Sequence, residues 1–252
     1  MIAQLTFNNK NYAVALDQPL DISLPLKPGD QNPTCYWADA VKMETIRSGD
    51  FIGSVNEGGS VNYQKLTVTP HGNGTHTECY GHISTDEATI NHCLREFHFI
   101  AALISIAPER KENGDFVITC ESVQKKLKPI STQAVIIRTI PNSDIKKTAN
   151  YSGTNPPYVD HEAAAYLAEC GVMHFLLDLP SVDRESDGGK LLAHKAFWQF
   201  PGNIRKSSTI TELIFIDNTI ADGLYLLNLQ IASLEMDASP SKPVLYKLTE
   251  VL

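Results

Sequence analysis

The stretch VDHEAAAYLAECGV, residues 159–172, runs without a break into VMHFLLDL, residues 172–179, and this succession constrains the fold more than any other part of the chain. Asp160 stands where an N-cap belongs, Ala164, Leu167 and Ala168 recur at helical spacing, and Gly171 is placed to end the helix. The run that follows is too short for a second helix, and its near-continuous hydrophobicity suits a strand covered on both faces. A second αβ unit is predicted upstream, with a helix over CESVQKKLK (Cys120 to Lys128) and a strand over AVIIRT (Ala134 to Thr139). Strands of this kind need helices as cover, so the expected class is α/β. The first third instead carries β-type segments and turns, among them SVNYQKLTVTP (Ser60 to Pro70).

The breaks PLKPGDQNP (Pro25 to Pro33), NEGGS (Asn56 to Ser60) and NYSGTNPP (Asn150 to Pro157) read as loops inside a domain. With 252 residues the chain is expected to form one domain over 1–252. A net charge of -8 argues against nucleic acid as a partner. The longest apolar run, FIAALISIA (Phe99 to Ala107), is too short to span a bilayer, so no membrane association is expected. Five scattered cysteines with no CxxC pair fit reduced thiols and a cytoplasmic setting.

Chemistry is concentrated in HGNGTHTECYGH, residues 71–82, which holds three of the chain's 8 histidines beside a carboxylate and a thiol. Imidazoles and a carboxylate are the usual ligands of a catalytic Zn2+ or Mn2+, and three of them leave a coordination position open for water. His71, His76 and Glu78 supply that set. Alternation along an extended segment puts His76 and Glu78 on one face, while the flexible GNG allows His71 to fold back towards them. Solvated loop histidines are the competing reading. A second constellation, DLPSVDRESDGGKLLAHKAFW (Asp178 to Trp198), follows the strand that ends at Leu179 and lies at its carboxyl end, the edge where α/β sheets place ligand sites. It offers Asp178, Ser181, Asp183 and His194, and on its own reads equally well as a turn followed by an exposed helix.

In their order along the chain these blocks resemble the cyclase family of metal-dependent hydrolases, which takes in bacterial kynurenine formamidases and isatin hydrolase. DISLPLKPGD (Asp21 to Asp30) is similar to the family's opening segment, HGNGTHTECYGH to its H-x-G-T-H-x-D-x-P-x-H motif, and AVIIRT to the strand before its long loop. DLPSVD with the following His194 resembles D-x-P-S-V-D and its histidine, and EMDASPSKPVLY (Glu235 to Tyr246) resembles the closing D-A-S-P-x-R segment. The chain departs from the central motif in three places: five steps rather than four separate His71 from His76, Glu78 stands where the family has aspartate, and Tyr80 replaces proline.

The resemblance implies a mixed or barrel-like β-sheet flanked by helices, of the swivelling β/β/α type, in a homo-oligomer, either dimer or tetramer. It implies one or two divalent ions, Zn2+ or Mn2+, held by His71, His76, Glu78, His194 and Glu212, with Asp217 as the alternative to Glu212 and Glu78 placed to bridge. His82 matches the catalytic histidine. Trp37, Tyr80 and Ser181 are the candidate substrate-binding residues, with Tyr36 as a further aromatic able to stack on an aryl group. The expected reaction is hydrolysis of an amide or lactam C–N bond in a small aryl substrate by metal-activated water, an arylformamidase-like activity. Three alternatives remain at this stage: thiol catalysis by Cys79, water elimination at the same metal, and a non-catalytic metal- or ligand-binding protein of the same fold.

Overall fold

The computed structural model describes residues 1–127 and 132–251. Nine strands and three helices position the site: β1 (Ile2–Phe7), β2 (Lys10–Ala15), β3 (His76–Glu78), β4 (His98–Ile106), α1 (Cys120–Lys126), β5 (Ala134–Thr139), α2 (His161–Glu169), β6 (His174–Leu177), α3 (Leu192–Trp198), β7 (Thr209–Glu212), β8 (Gly223–Ile231) and β9 (Ala238–Val251). Seven of the strands close a mixed barrel in the order β9, β8, β4, β5, β6, β7, β3 and back to β9. The run from β4 through β7 is parallel, and the remaining pairings are antiparallel.

The 14-residue β9 makes closure possible, because successive parts of it pair with β3, β8 and β2. The hairpin of β1 and β2 turns at Asn8 and Asn9, both at positive φ as a tight hairpin turn requires, and extends the sheet beyond the barrel.

Side-chain alternation divides the core in two. Ala134, Ile136 and Leu176 point into the barrel with Leu103, Leu227 and Leu245, whereas Val135, Ile137, Phe175 and Leu177 point outwards under the helices. Both sets are buried, which is why these strands read as unbroken apolar runs.

α2 ends as its sequence predicts. The Asp160 side chain accepts from the Glu162 N–H at 3.3 Å, and Gly171 turns the chain at φ 79°. Its Ala163, Ala164, Leu167 and Ala168 face is buried, and it packs on α3. The predicted helix from Cys120 is present through Lys126, capped by Thr119, and its expected last residue, Lys128, lies outside the described residues. The strand expected over Ala134 to Thr139 has those bounds, and the one expected over Val172 to Leu179 is formed by His174–Leu177. Among the described residues no helix is long and apolar enough to cross a membrane.

Candidate metal centre

Sheet register assembles the site. β3 lies between β7 and the start of β9, with Glu212 directly opposite His76 and Ala238 opposite Glu78. His76, Glu78 and Glu212 therefore meet on one buried patch, and Asp237 arrives just ahead of β9.

The extra residue between His71 and His76 is taken up by a braced loop. His71 sits in a 3-10 turn over Pro70–Gly72. The Asn73 side chain accepts from the Thr69 N–H at 2.9 Å and donates to the Asp39 carbonyl at 3.2 Å. Gly72 is required by proximity, since a Cβ there would lie 2.3 Å from that of Ala38, and Gly74 is left-handed at φ 67°.

The buried imidazoles are fixed in tautomer by what lies behind them. His76 Nδ1 is 3.0 Å from the Gly74 carbonyl, which can only accept, so Nδ1 carries the proton and Nε2 is a bare lone pair. His194 is held by Asp183, which approaches its Nδ1 at 2.6 Å and also accepts the backbone N–H groups of Ala193 and His194, capping α3 from outside. His194 Nε2 then faces Glu78 Oε1 at 2.9 Å and Glu212 Oε1 at 4.0 Å. Ligating histidines are commonly oriented by such carbonyl and carboxylate partners.

Nearer the surface, His71 and His82 stack with ring centroids 4.1 Å apart and share Asp237, at 2.8 Å from His71 Nε2 and 3.3 Å from His82 Nδ1. His71 Nδ1 stands 3.0 Å from Glu78 Oε2, and His82 Nε2 stands 3.9 Å from the same oxygen. The first approach is misaligned for a hydrogen bond, which leaves Glu78 Oε2 buried without a hydrogen-bonded partner, and His76 Nε2 is buried and unpartnered as well.

These orphaned atoms test whether a cation fits. His76 Nε2 and Glu212 Oε2 are 3.3 Å apart, two lone pairs aimed at each other. A tetrahedral ion with bonds of about 2.1 Å separates its ligand atoms by roughly 3.4 Å, the scale of the contacts seen here. Ligand atoms of His71, His76 and Glu78 lie within 4.8 Å of one another, as do those of Glu78, His82 and His194. A third trio joins His71, His82 and Asp237. Glu78 belongs to the first two, the position of a bridging ligand. The donor set of imidazoles and carboxylates suits Zn2+ or Mn2+, and the residues fit the group.

Electrostatics agree with the geometry. Burial alone would lower the pKa of His71, but its hydrogen bond to Asp237 and the adjacent Glu78 raise it to about 10. His194 behaves likewise: burial is outweighed by Glu78 and Asp183, and its pKa lies well above the ordinary value. Glu78 is held well below the carboxylate range, burial being overcome by His82 and His194. So dense a cluster of negative charge draws protons onto His71 and His194 when no cation is bound.

The expected residues are distributed as follows. His71, His76, Glu78, His82, His194 and Glu212 converge, and with Ser181 they stand in or beside a cavity of about 300 Å³. Asp217, the alternative to Glu212, is exposed and engages Thr219 in a turn. Tyr80 is buried in the helix-side core and does not line the cavity. Trp37 is 73% exposed, and its neighbour Tyr36 lines the cavity instead. Cys79 is fully buried, and its thiol pKa is pushed far up by contact with Cys93 and by burial, which removes it as a nucleophile. Asp183 and Asp237 carry roles that their sequence blocks did not assign; both lie in blocks that resemble family segments.

Comparison with known proteins agrees with this picture. The Cyclase family model matches residues 20–184. The kynurenine formamidase of Bacillus anthracis is 28% identical over 228 residues, covering 90% of this chain and 96% of that protein. The kynurenine formamidase of Bacillus cytotoxicus is 26% identical over 237 residues, covering 93% and 97%. In structure, isatin hydrolase A from Labrenzia aggregata superposes with a TM-score of 0.64 at 14% identity, over 91% of this chain and 93% of that one. Isatin hydrolase A from Ralstonia solanacearum gives 0.65 at 14%, over 91% of each chain. With the family model spanning most of the chain and the barrel shared with these structures, the protein belongs to the cyclase family.

Proposed function

We propose that this protein is a hydrolase dependent on Zn2+ or Mn2+ that cleaves the amide or lactam C–N bond of a small aryl substrate. The observation that carries the reading is the pair of buried, unpartnered atoms, His76 Nε2 and Glu78 Oε2, of which Glu78 lines a cavity together with Glu212 and His194, while His76 Nε2 lies behind it, 3.3 Å from Glu212 Oε2. His71, His76 and Glu78 would hold one ion, and Glu78, His194 and Glu212 a second. A bound cation would supply Lewis acidity, making water acidic near neutral pH and polarising the substrate carbonyl.

The chain's own groups do the rest. The cavity of about 300 Å³ accommodates an aryl-sized molecule and holds the scissile carbonyl among the carboxylates and imidazoles. His82, braced by Asp237 at Nδ1, presents Nε2 to this space. There it takes a proton from the attacking water and delivers it to the leaving nitrogen as the C–N bond breaks. One water is consumed, a C–O bond replaces the C–N bond, and an amine and a carboxylic acid result.

The test is turnover of N-formyl anilines and lactams by tag-free protein loaded with Zn2+ or Mn2+, with products weighed by mass spectrometry. The reading expects gain of one water, abolition by a chelator and restoration by metal. Metal-filled protein that turns over none of these compounds contradicts it, and loss of water instead of gain assigns an elimination.

A further inference from the structure

Tyr36 and Trp37 are consecutive side-chain-bearing residues in left-handed backbone, at φ 52° and 53°. Such backbone persists where its surroundings over-determine it, and it gathers at functional sites. The ties are visible here. The Cys35 N–H donates to the Gly72 carbonyl at 3.1 Å, its thiol approaches the His71 carbonyl at 3.2 Å, and the Trp37 N–H donates to Ser152 Oγ at 2.9 Å. Ala38 closes the turn onto the Cys35 carbonyl and fills the space that a side chain at position 72 would need. Tyr36 is thus held between Cys35, fastened to the backbone of His71 and Gly72, and Trp37, fastened to Ser152, and the turn sets it on the wall of the cavity that His71, Glu78, His82 and Glu212 share.

The remaining polar groups of that wall are committed elsewhere. The Arg184 guanidinium is bound by Asp115 at 2.9 and 3.2 Å and donates to the Ser186 carbonyl. Glu185 accepts from the Gly153 and Asn155 N–H groups, and Asp187 accepts from Gly189, Lys190 and Leu191. Ser181 Oγ accepts from the Asp183 N–H, and its hydroxyl is the neighbour with which the Tyr36 phenol pairs. The wall therefore holds anions, imidazoles and a spent guanidinium, and the phenol is its uncharged donor of longest reach. A phenol carries its proton at neutral pH and can donate it in a hydrogen bond.

Resting on the hydrolase reading above, we propose that Tyr36 is a further catalytic residue, whose hydroxyl donates a hydrogen bond to the substrate carbonyl oxygen as that oxygen becomes the tetrahedral oxyanion. The phenol gives up no proton, and no bond to it forms or breaks. A donor placed where charge develops is worth roughly 100- to 1000-fold in rate.

Tyr36→Phe keeps the ring and removes the donor. With Zn2+- or Mn2+-loaded protein and an N-formyl aniline, kcat is expected to fall roughly 100- to 1000-fold while KM changes little, since the donor acts on the transition state. A second readout needs no turnover: affinity for an aryl phosphonate, which mimics the tetrahedral oxyanion, is expected to fall at least 10-fold by calorimetry, with metal content and melting temperature unchanged. Wild-type turnover matched by Tyr36→Phe in kcat, together with equal phosphonate affinity, overturns the role of Tyr36 and leaves the hydrolase reading standing. Metal-loaded wild type without turnover overturns that reading and the proposal with it.

Discussion

His76 Nε2 and Glu212 Oε2 face each other at 3.3 Å across the barrel seam, the Gly74 carbonyl behind His76 holding its ring proton on Nδ1, and His76 is wholly buried. Two acceptors in that arrangement are unfavourable until bound cations draw on both lone pairs.

Glu212→Gln therefore has opposite effects with and without metal. The amide oxygen can keep the Val182 N–H, now 2.8 Å from Oε1, while the amide nitrogen donates to His76 Nε2. The metal-free variant is expected to be more stable than metal-free wild type by about 1 kcal/mol, whereas metal affinity drops at least 10-fold. Chemical denaturation with and without chelator checks both signs, and a variant destabilised in both states contradicts the pairing.

Asp183→Asn tests the support behind His194. The carboxylate at 2.6 Å engages Nδ1 and so turns Nε2 towards Glu78 and Glu212. Its loss is expected to weaken metal binding by about 10- to 100-fold, measured by competition with a chromophoric chelator.

Metal uptake is expected to release protons. In the metal-free protein His71 titrates at about 10 and His194 well above its ordinary value, so both are protonated at neutral pH, and both must become neutral to bind a cation. Affinity should rise with pH, and calorimetry in two buffers of different ionisation enthalpy should show a net release of roughly one to two protons at pH 7. Buffer-independent heats would contradict this.

Acid sensitivity has a second source away from the metal. His174 is packed against Phe99, hydrogen-bonded to Thr209 Oγ1 at 2.9 Å, and its pKa is lowered to about 3 by burial and by Arg205. Below the ordinary histidine pKa the unfolded chain binds a proton that the native state refuses, so stability is lost as pH falls from about 6.5 towards 3. Between pH 7 and pH 4.5 this residue accounts for about 2–3 kcal/mol. His174→Leu should remove that increment from the pH slope, as read from denaturation midpoints.

The local elements were legible because local signals define them: the Asp160 cap, the Gly171 stop, and apolar runs long enough to mark β5 and β6. Barrel closure was less so, since β3 has three residues and no periodicity of its own, and its partners lie more than 130 residues away in sequence. The ligand cluster stood out by composition, while the choice of Glu212 over Asp217 depends on strand register. Tyr80 departs from its expected place for a local reason. β3 ends at Glu78, and a 3-10 turn over Tyr80–Ile83 swings the ring into the core instead of continuing the alternation. Consecutive left-handed residues at 36 and 37 likewise turn the inner position over to Tyr36, which composition gives no means of foreseeing.

The most direct test is metal content by mass spectrometry in protein purified without an affinity tag, beside the double variant His76→Ala, Glu78→Ala. The account predicts one or two tightly held divalent ions per chain in the wild type and their loss in the variant. Wild-type protein that is free of metal and takes up neither Zn2+ nor Mn2+ when offered would contradict it.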